Sequence, residues 1–224
     1  MMNRIGLLGG SFNPIHIGHL RVAEEVREAL ELTRVVFIPL HVPPHKEPGE
    51  IIATHHRLAM TELAIEDNDA FAVSDIETKR EDKSYTLYTL RHFLKELPPG
   101  GELFFILGND AFAEITTWHR WREVLPMCHF VVMSRPGKSF AQPSDALPAA
   151  YAERYRDQGD GVWRMKEGAR LIFLPVTPLE ISSSDIRKRL RAGGSVRYLV
   201  PDAAIGYLEQ HGLYGTTSPG AIEE

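Results

Sequence analysis

Six short runs of apolar, β-favouring residues, spaced by segments of helical periodicity, restrict the folds open to this chain more than any other feature. They occupy residues 5–8, 34–40, 71–76, 102–107, 129–133 and 171–176. Their apolar residues are nearly continuous, as in strands buried on both faces. Between them, Leu20, Ala23, Val26 and Leu30 recur at helical spacing, as do Leu87, Leu90 and Leu94 before Pro98-Pro99-Gly100-Gly101 ends the pattern. Thr54 predicts the N-cap of a helix running towards Ile65, and a short helix is predicted over residues 118–125. Further on, Ser183 or Ser184 predicts the cap of a helix to Arg191, closed by Gly193-Gly194, and Pro201 and Gly212 frame one more.

Alternation of this kind predicts an α/β fold: a Rossmann-like, doubly wound parallel sheet with helices on both faces and a C-terminal helical portion. A length of 224 residues suits one domain, expected over 1–215, with a disordered tail over 216–224. Residues 136–169 are the least regular part. Their prolines, glycines and mixed charges predict a surface excursion with a helix around 151–156.

In an open parallel sheet, ligands bind beyond the carboxyl ends of the strands, where strand order reverses. The unusual residues of this chain fall at such positions: 9–19 after the first run, His45-Lys46 after the second, Gly108-Asn109-Asp110, Ser134-Arg135, and 181–187 after the last. Gly9 and Gly10 let backbone approach a ligand closely. His16 and His19, three apart on a first helical turn, share a face. The free N–H groups of that helix start favour an anion, so the combination points to a bound phosphate. Ser183 and Arg187, four apart, put a hydroxyl and a guanidinium on one helix face as a second phosphate contact.

Plainer readings stand beside these. The two histidines read as ordinary loop residues or, with His41, His45, His55 and His56, as metal ligands, although H-E-x-x-H is missing from the sequence. Lys46 reads as a solvated lysine, Asp110 as a helix cap, Trp118 as core and Arg135 as surface.

Composition excludes several function classes. A net charge of −5 supplies no basic surface for a nucleic-acid backbone, so no nucleic-acid partner is expected. The single cysteine, Cys128, has no internal disulfide partner. No apolar run reaches membrane-spanning length and no signal-peptide pattern opens the chain, so no membrane partner and a cytoplasmic location are expected. There is no G-x-G-x-x-G after the first run, and Gly137-Lys138-Ser139 lacks the upstream glycine of a P-loop, Val132 standing there instead.

The stretch Gly9-Gly10-Ser11-Phe12-Asn13-Pro14-Ile15-His16-Ile17-Gly18-His19 resembles the GGxFxPxHxGH signature of the bacterial nicotinate-nucleotide adenylyltransferases, within the HxGH nucleotidyltransferase superfamily. Ile181-Ser182-Ser183-Ser184-Asp185-Ile186-Arg187 resembles that family's ISSTxIR motif, and the two bracket nearly the whole chain. Ser184 stands where the family usually has threonine, which keeps the hydroxyl; Asn109 stands where a small residue is more usual.

The resemblance implies adenylyl transfer from ATP to nicotinate mononucleotide in NAD biosynthesis, with Mg²⁺ carried by ATP and no metal ligands on the protein. It implies catalytic roles for His16, His19 and Arg187. ATP would also contact Gly9, Gly10, Ser11, Phe12, Gly108, Ile181 and Ser183. The mononucleotide would be held by His45 and Lys46, Thr86, Asp110 at its ribose, Trp118 stacked on the pyridine ring, and Arg135. The alternatives are a pantetheine-phosphate or cytidylyl transferase, or a nucleotide-binding sensor without turnover. The presence of both histidines and Arg187 opposes the last.

Overall fold

A computed structural model describes residues 3–41, 51–79, 85–134 and 140–216. The predicted runs form strands β1 (Arg4–Gly10), β2 (Arg34–Pro39), β3 (Phe71–Val73), β4 (Glu102–Gly108), β5 (His129–Ser134) and, last in the chain, β8 (Arg170–Pro175). They pair in parallel in the order β3-β2-β1-β4-β5-β8, so the strand order reverses between β1 and β4. Neighbouring residues of each strand enter two separate cores. Leu8, Phe37, Phe104, Val131 and Ile172 pack on one face with α1 (Ile17–Ala29), α2 (Thr54–Ala64), α7 (Ser183–Arg191) and α8 (Asp202–Gln210). Leu7, Val36, Phe105, Val132 and Phe173 pack on the other with α3 (Thr86–Glu96), α4 (Asn109–Ala113) and α5 (Trp121–Val124). Two buried faces leave no place for alternating polar residues, which is why these strands read as apolar runs.

The largest departure from the sequence reading lies in 136–169. Beyond α6 (Ala149–Ala152), the region of the expected helix turns into β6 (Tyr155–Asp157), which pairs antiparallel with β7 (Val162–Met165). β7 then adds antiparallel to β8, so the sheet is mixed and ends at β6. The hairpin turn carries three consecutive left-handed residues, Gly159, Asp160 and Gly161, which glycine and aspartate tolerate.

Smaller corrections have local causes. β3 stops at Val73 rather than Ile76, because the Ser74 hydroxyl accepts the Ile76 N–H and turns the chain. Ala53, not Thr54, is the N-cap of α2, and the Thr54 hydroxyl accepts from Arg57 instead. The helix expected over 118–125 begins only at Trp121, after Arg120 in the left-handed region interrupts it. The cap of α7 is Ser182, because Asp185 three residues on completes a reciprocal pair of hydrogen bonds with it. Residues 217–224, most of the expected tail, lie outside the described residues.

At the amino ends of β1, β4, β5 and β8, four charged or titratable side chains meet. Glu102 contacts Arg4 at 3.0 Å, Arg170 at 2.8 Å and His129 at 3.2 Å. His129 Nδ1 accepts the Arg170 N–H, which places its ring proton on Nε2, towards Glu102. Burial first, then the Arg170 charge, lowers the His129 pKa to about 4. The unfolded chain therefore takes up this proton near pH 6.5 while the folded chain does not. Stability is expected to be full above pH 6.5, to fall as pH drops from there to about 4, and to level off below. Denaturant titrations across that window should show the slope in the wild type and a flatter one in His129→Gln.

Candidate active site

The reversal between β1 and β4 puts the segment after β1 beside Gly108, at the end of β4. An added Cβ at Gly108 would meet nothing within 4 Å, so the crevice stays open there. At Gly10 the opposite holds. A Cβ would lie 2.8 Å from the Phe12 ring, and only glycine lets that ring pack over the loop. Phe12 itself has a left-handed φ of 42° and is buried.

His16 is the N-cap of α1 and is buried. Its ring stacks on that of His19 with centroids 3.6 Å apart. Gly18 makes this stack possible, since a Cβ there would come within 3.0 Å of His16 Nδ1. His19 Nδ1 accepts the backbone N–H of His16 at 3.2 Å, so in the neutral ring the proton sits on Nε2. Burial, and secondarily the neighbouring His16, lowers the His19 pKa well below the usual imidazole value. At neutral pH the ring is thus an uncharged N–H donor with a fixed tautomer. The first turn of α1 contains no acidic residue, which leaves the positive end of its dipole uncompensated.

The segment after β8 reaches back to the same loop. Ile181 lies against the position of a Gly18 Cβ. Ser183 donates its hydroxyl to the Pro14 carbonyl at 2.9 Å, and Arg187 Nη1 donates to the Asn13 carbonyl at 2.8 Å. Arg187 Nη2 also reaches the Ser184 hydroxyl at 3.3 Å. Asp185 in the first turn of α7 offsets that helix's positive end, so Arg187 rather than the helix start carries the charge there.

Three residues of this network escaped the sequence reading. Tyr214, in the short 3-10 turn Leu213–Gly215, donates to Asn13 Oδ1 at 2.7 Å. Arg57 of α2, fully buried, donates to the Ser11 carbonyl at 2.8 Å. Asn13, the target of both Tyr214 and Arg187, is itself completely buried.

The sequence profile of the cytidylyltransferase-like family matches residues 7–189. A protein of Trichlorobacter lovleyi named "Probable nicotinate-nucleotide adenylyltransferase" is 43% identical over 211 residues, covering 94% of this chain and 99% of the relative. The chain belongs to the nicotinate-nucleotide adenylyltransferase family. A member from Pseudomonas fluorescens is 44% identical over 214 residues, covering 96% of this chain and 98% of its own. Among solved structures, Plasmodium falciparum nicotinic acid mononucleotide adenylyltransferase complexed with NaAD superimposes with a TM-score of 0.68 at 19% identity. That match covers 96% of this chain and 98% of the other, and it shows a shared fold.

Of the residues that the family motifs assign to the mononucleotide, His45, Lys46 and Arg135 lie outside the described residues. The other three are among the described residues. Asp110 is exposed in the first turn of α4, just past Gly108. Trp118 is half-buried and its ring lies T-shaped to that of Phe105, whereas Trp121 is buried in the core against Tyr151. Thr86 opens α3 next to Tyr85, whose ring stacks on His119 at 4.5 Å. The structure therefore brings Thr86 beside the Trp118-His119 segment, about thirty residues away in sequence. No described helix is long and apolar enough to cross a membrane.

Proposed function

We propose that this chain transfers the adenylyl group of ATP to nicotinate mononucleotide, giving nicotinate adenine dinucleotide and pyrophosphate. A phosphate oxygen of the mononucleotide attacks the α-phosphorus in line. The new O–P bond forms as the bond from that phosphorus to the bridging oxygen breaks, and the electron pair leaves with pyrophosphate. A phosphate monoester is already anionic near neutral pH, so no strong general base is needed. Rate enhancement then comes from positioning and from stabilising charge on the transferring group.

The observation that carries this reading is the stacked His16–His19 pair, with His19 a neutral Nε2–H donor at the uncompensated positive end of α1. A donor with its tautomer already fixed needs no reorganisation when charge develops on the α-phosphoryl oxygens. Arg187 is assigned to the departing phosphates, Asp110, Thr86 and Trp118 to the mononucleotide, and His45, Lys46 and Arg135 to its phosphate side. Mg²⁺ enters as part of the ATP substrate, on phosphate oxygens that suit a hard cation. A cytoplasmic location and the absence of a nucleic-acid partner are proposed alongside it, on the sequence pattern and the net charge of −5.

Pyrophosphate release, measured with ATP or CTP against nicotinate mononucleotide, phosphopantetheine and glycerol 3-phosphate, tests the reaction class. ATP with nicotinate mononucleotide should be the productive pair. Preference for CTP or for phosphopantetheine overturns the assignment in favour of a superfamily relative.

Arg187→Ala should raise the KM for ATP by about 10- to 100-fold, the range for losing a charged hydrogen bond. Mononucleotide affinity should stay within about threefold, because the described contacts of Arg187 lie in the loop after β1 and on α7. Separate titrations of ATP, pyrophosphate and mononucleotide check this. Equal losses for all three would make Arg187 a structural residue.

A further inference from the structure

Arg57 heads the fully buried side chains by volume, and no motif in the sequence marks it. It forms no ion pair with a carboxylate among the described residues; its guanidinium is shared among oxygens of three segments. Nη1 donates to the Ser11 carbonyl at 2.8 Å, and Nη2 to the His41 carbonyl at 3.1 Å and the Thr54 hydroxyl at 2.9 Å. Nε donates to the Ile52 carbonyl at 3.2 Å. Burial lowers its pKa, yet from so high a starting value the group stays charged. A buried cation without a carboxylate costs folding free energy, offset here by its hydrogen bonds to the Ser11, His41 and Ile52 carbonyls and the Thr54 hydroxyl, so the side chain's work is to hold those segments together.

We propose that Arg57 is a positioning residue for adenylyl transfer: it holds the Ser11–Phe12 peptide so that the N–H of Phe12 faces the phosphates of the bound nucleotide. The inference rests on the proposed reaction. In a trans peptide the C=O and the following N–H point in opposite directions. Among the described residues only Asn13-Pro14 is cis, so drawing the Ser11 carbonyl towards the buried guanidinium turns the Phe12 N–H the other way. That N–H has no partner within the described structure. A left-handed φ of 42° is unfavourable for a residue as bulky as phenylalanine and persists only where the surroundings enforce it. A left-handed residue within such a loop is also how backbone N–H groups converge on an anion. The same guanidinium ties His41 and Ile52 to this peptide, so one side chain sets the loop after β1 relative to the segments after β2 and before α2.

The test is Arg57→Lys, which keeps the charge but not the fork that reaches three carbonyls at once. With ATP and nicotinate mononucleotide, kcat is expected to fall by about 10- to 100-fold, with KM for ATP within about threefold of wild type. In ¹⁵N-phenylalanine-labelled protein, the Phe12 amide should shift on adding α,β-methylene-ATP to the wild type, and not in Arg57→Lys. A variant with kcat within twofold of wild type overturns the proposal. So does one that loses kcat while its Phe12 amide responds as in the wild type. Should Arg57→Lys not fold, hydrogen exchange in the wild type decides: the Phe12 amide must become more protected when α,β-methylene-ATP is added. An exchange rate unchanged by the nucleotide overturns the proposal. Wild-type turnover in the same assay reports separately on the reaction itself.

Discussion

Nicotinate mononucleotide is expected to be used about 10⁴-fold more efficiently than nicotinamide mononucleotide, compared as kcat/KM on one enzyme preparation. The two acceptors differ only in a carboxylate against an uncharged amide. A pocket of N–H donors favours the carboxylate, because charge-assisted hydrogen bonds are roughly twice as strong as neutral ones. The amide adds a penalty, since its NH₂ turns donors towards donors and leaves buried groups unpaired. The start of α3 at Thr86 and the His119 N–H offer such backbone donors, the Trp118 N–H being given to the Ile115 carbonyl, and the Tyr85–His119 stack brings the two segments together. Trp118, half-buried and T-shaped to Phe105, is the indole proposed to stack on the pyridine ring. Trp118→Ala should therefore weaken mononucleotide binding more than ATP binding. Comparable kcat/KM values for the two acceptors would end the specificity assignment and leave adenylyl transfer standing.

His19→Ala should lower kcat by about 10²- to 10³-fold, the loss typical when one preorganised donor to a developing anion is removed. ATP affinity should change far less, because the contact strengthens only as charge builds on the α-phosphoryl group. The structure sharpens this expectation. With Nδ1 occupied by the His16 N–H, only Nε2 is left to serve substrate. His19→Gln, whose amide NH₂ reaches the position of imidazole Nε2, should then retain more activity than the alanine variant. Steady-state kinetics with equilibrium ATP titration check both, and a folded His19→Ala enzyme with near-normal kcat would remove the assigned role.

What could be read from the sequence follows from burial. The strands that carry the site are enclosed on both faces, and two-sided burial writes itself as an uninterrupted apolar run. The β6–β7 hairpin has no such enclosure. Arg156 and Arg164 are exposed on it, and its strands are too short for a periodic signal to stand out; the turn chemistry of Gly159-Asp160-Gly161 was not read as a hairpin. The cap of α7 was ambiguous because three serines run together, and Asp185 alone distinguishes Ser182. For Arg57 the signal existed. It falls on the same helix face as Met60, Thr61 and Ala64, all buried, so a charge stood in an apolar stripe. Tyr214 had no local mark, since its partner Asn13 lies 201 residues away. Contacts of that separation are set by how the C-terminal helices close over β1, which no window of sequence contains.

The hairpin has a consequence for the behaviour of this protein in concentrated solution. Without it, β8 would be the outermost strand, a six-residue ladder of free N–H and C=O groups in an otherwise apolar segment. Such an edge is a template on which a second chain can build an intermolecular sheet. With β6 and β7 added, the sheet ends in three residues, Tyr155–Asp157, two of them charged and exposed. The opposite border, β3, is also three residues long. Neither border offers a length of backbone on which an aggregating strand could find register.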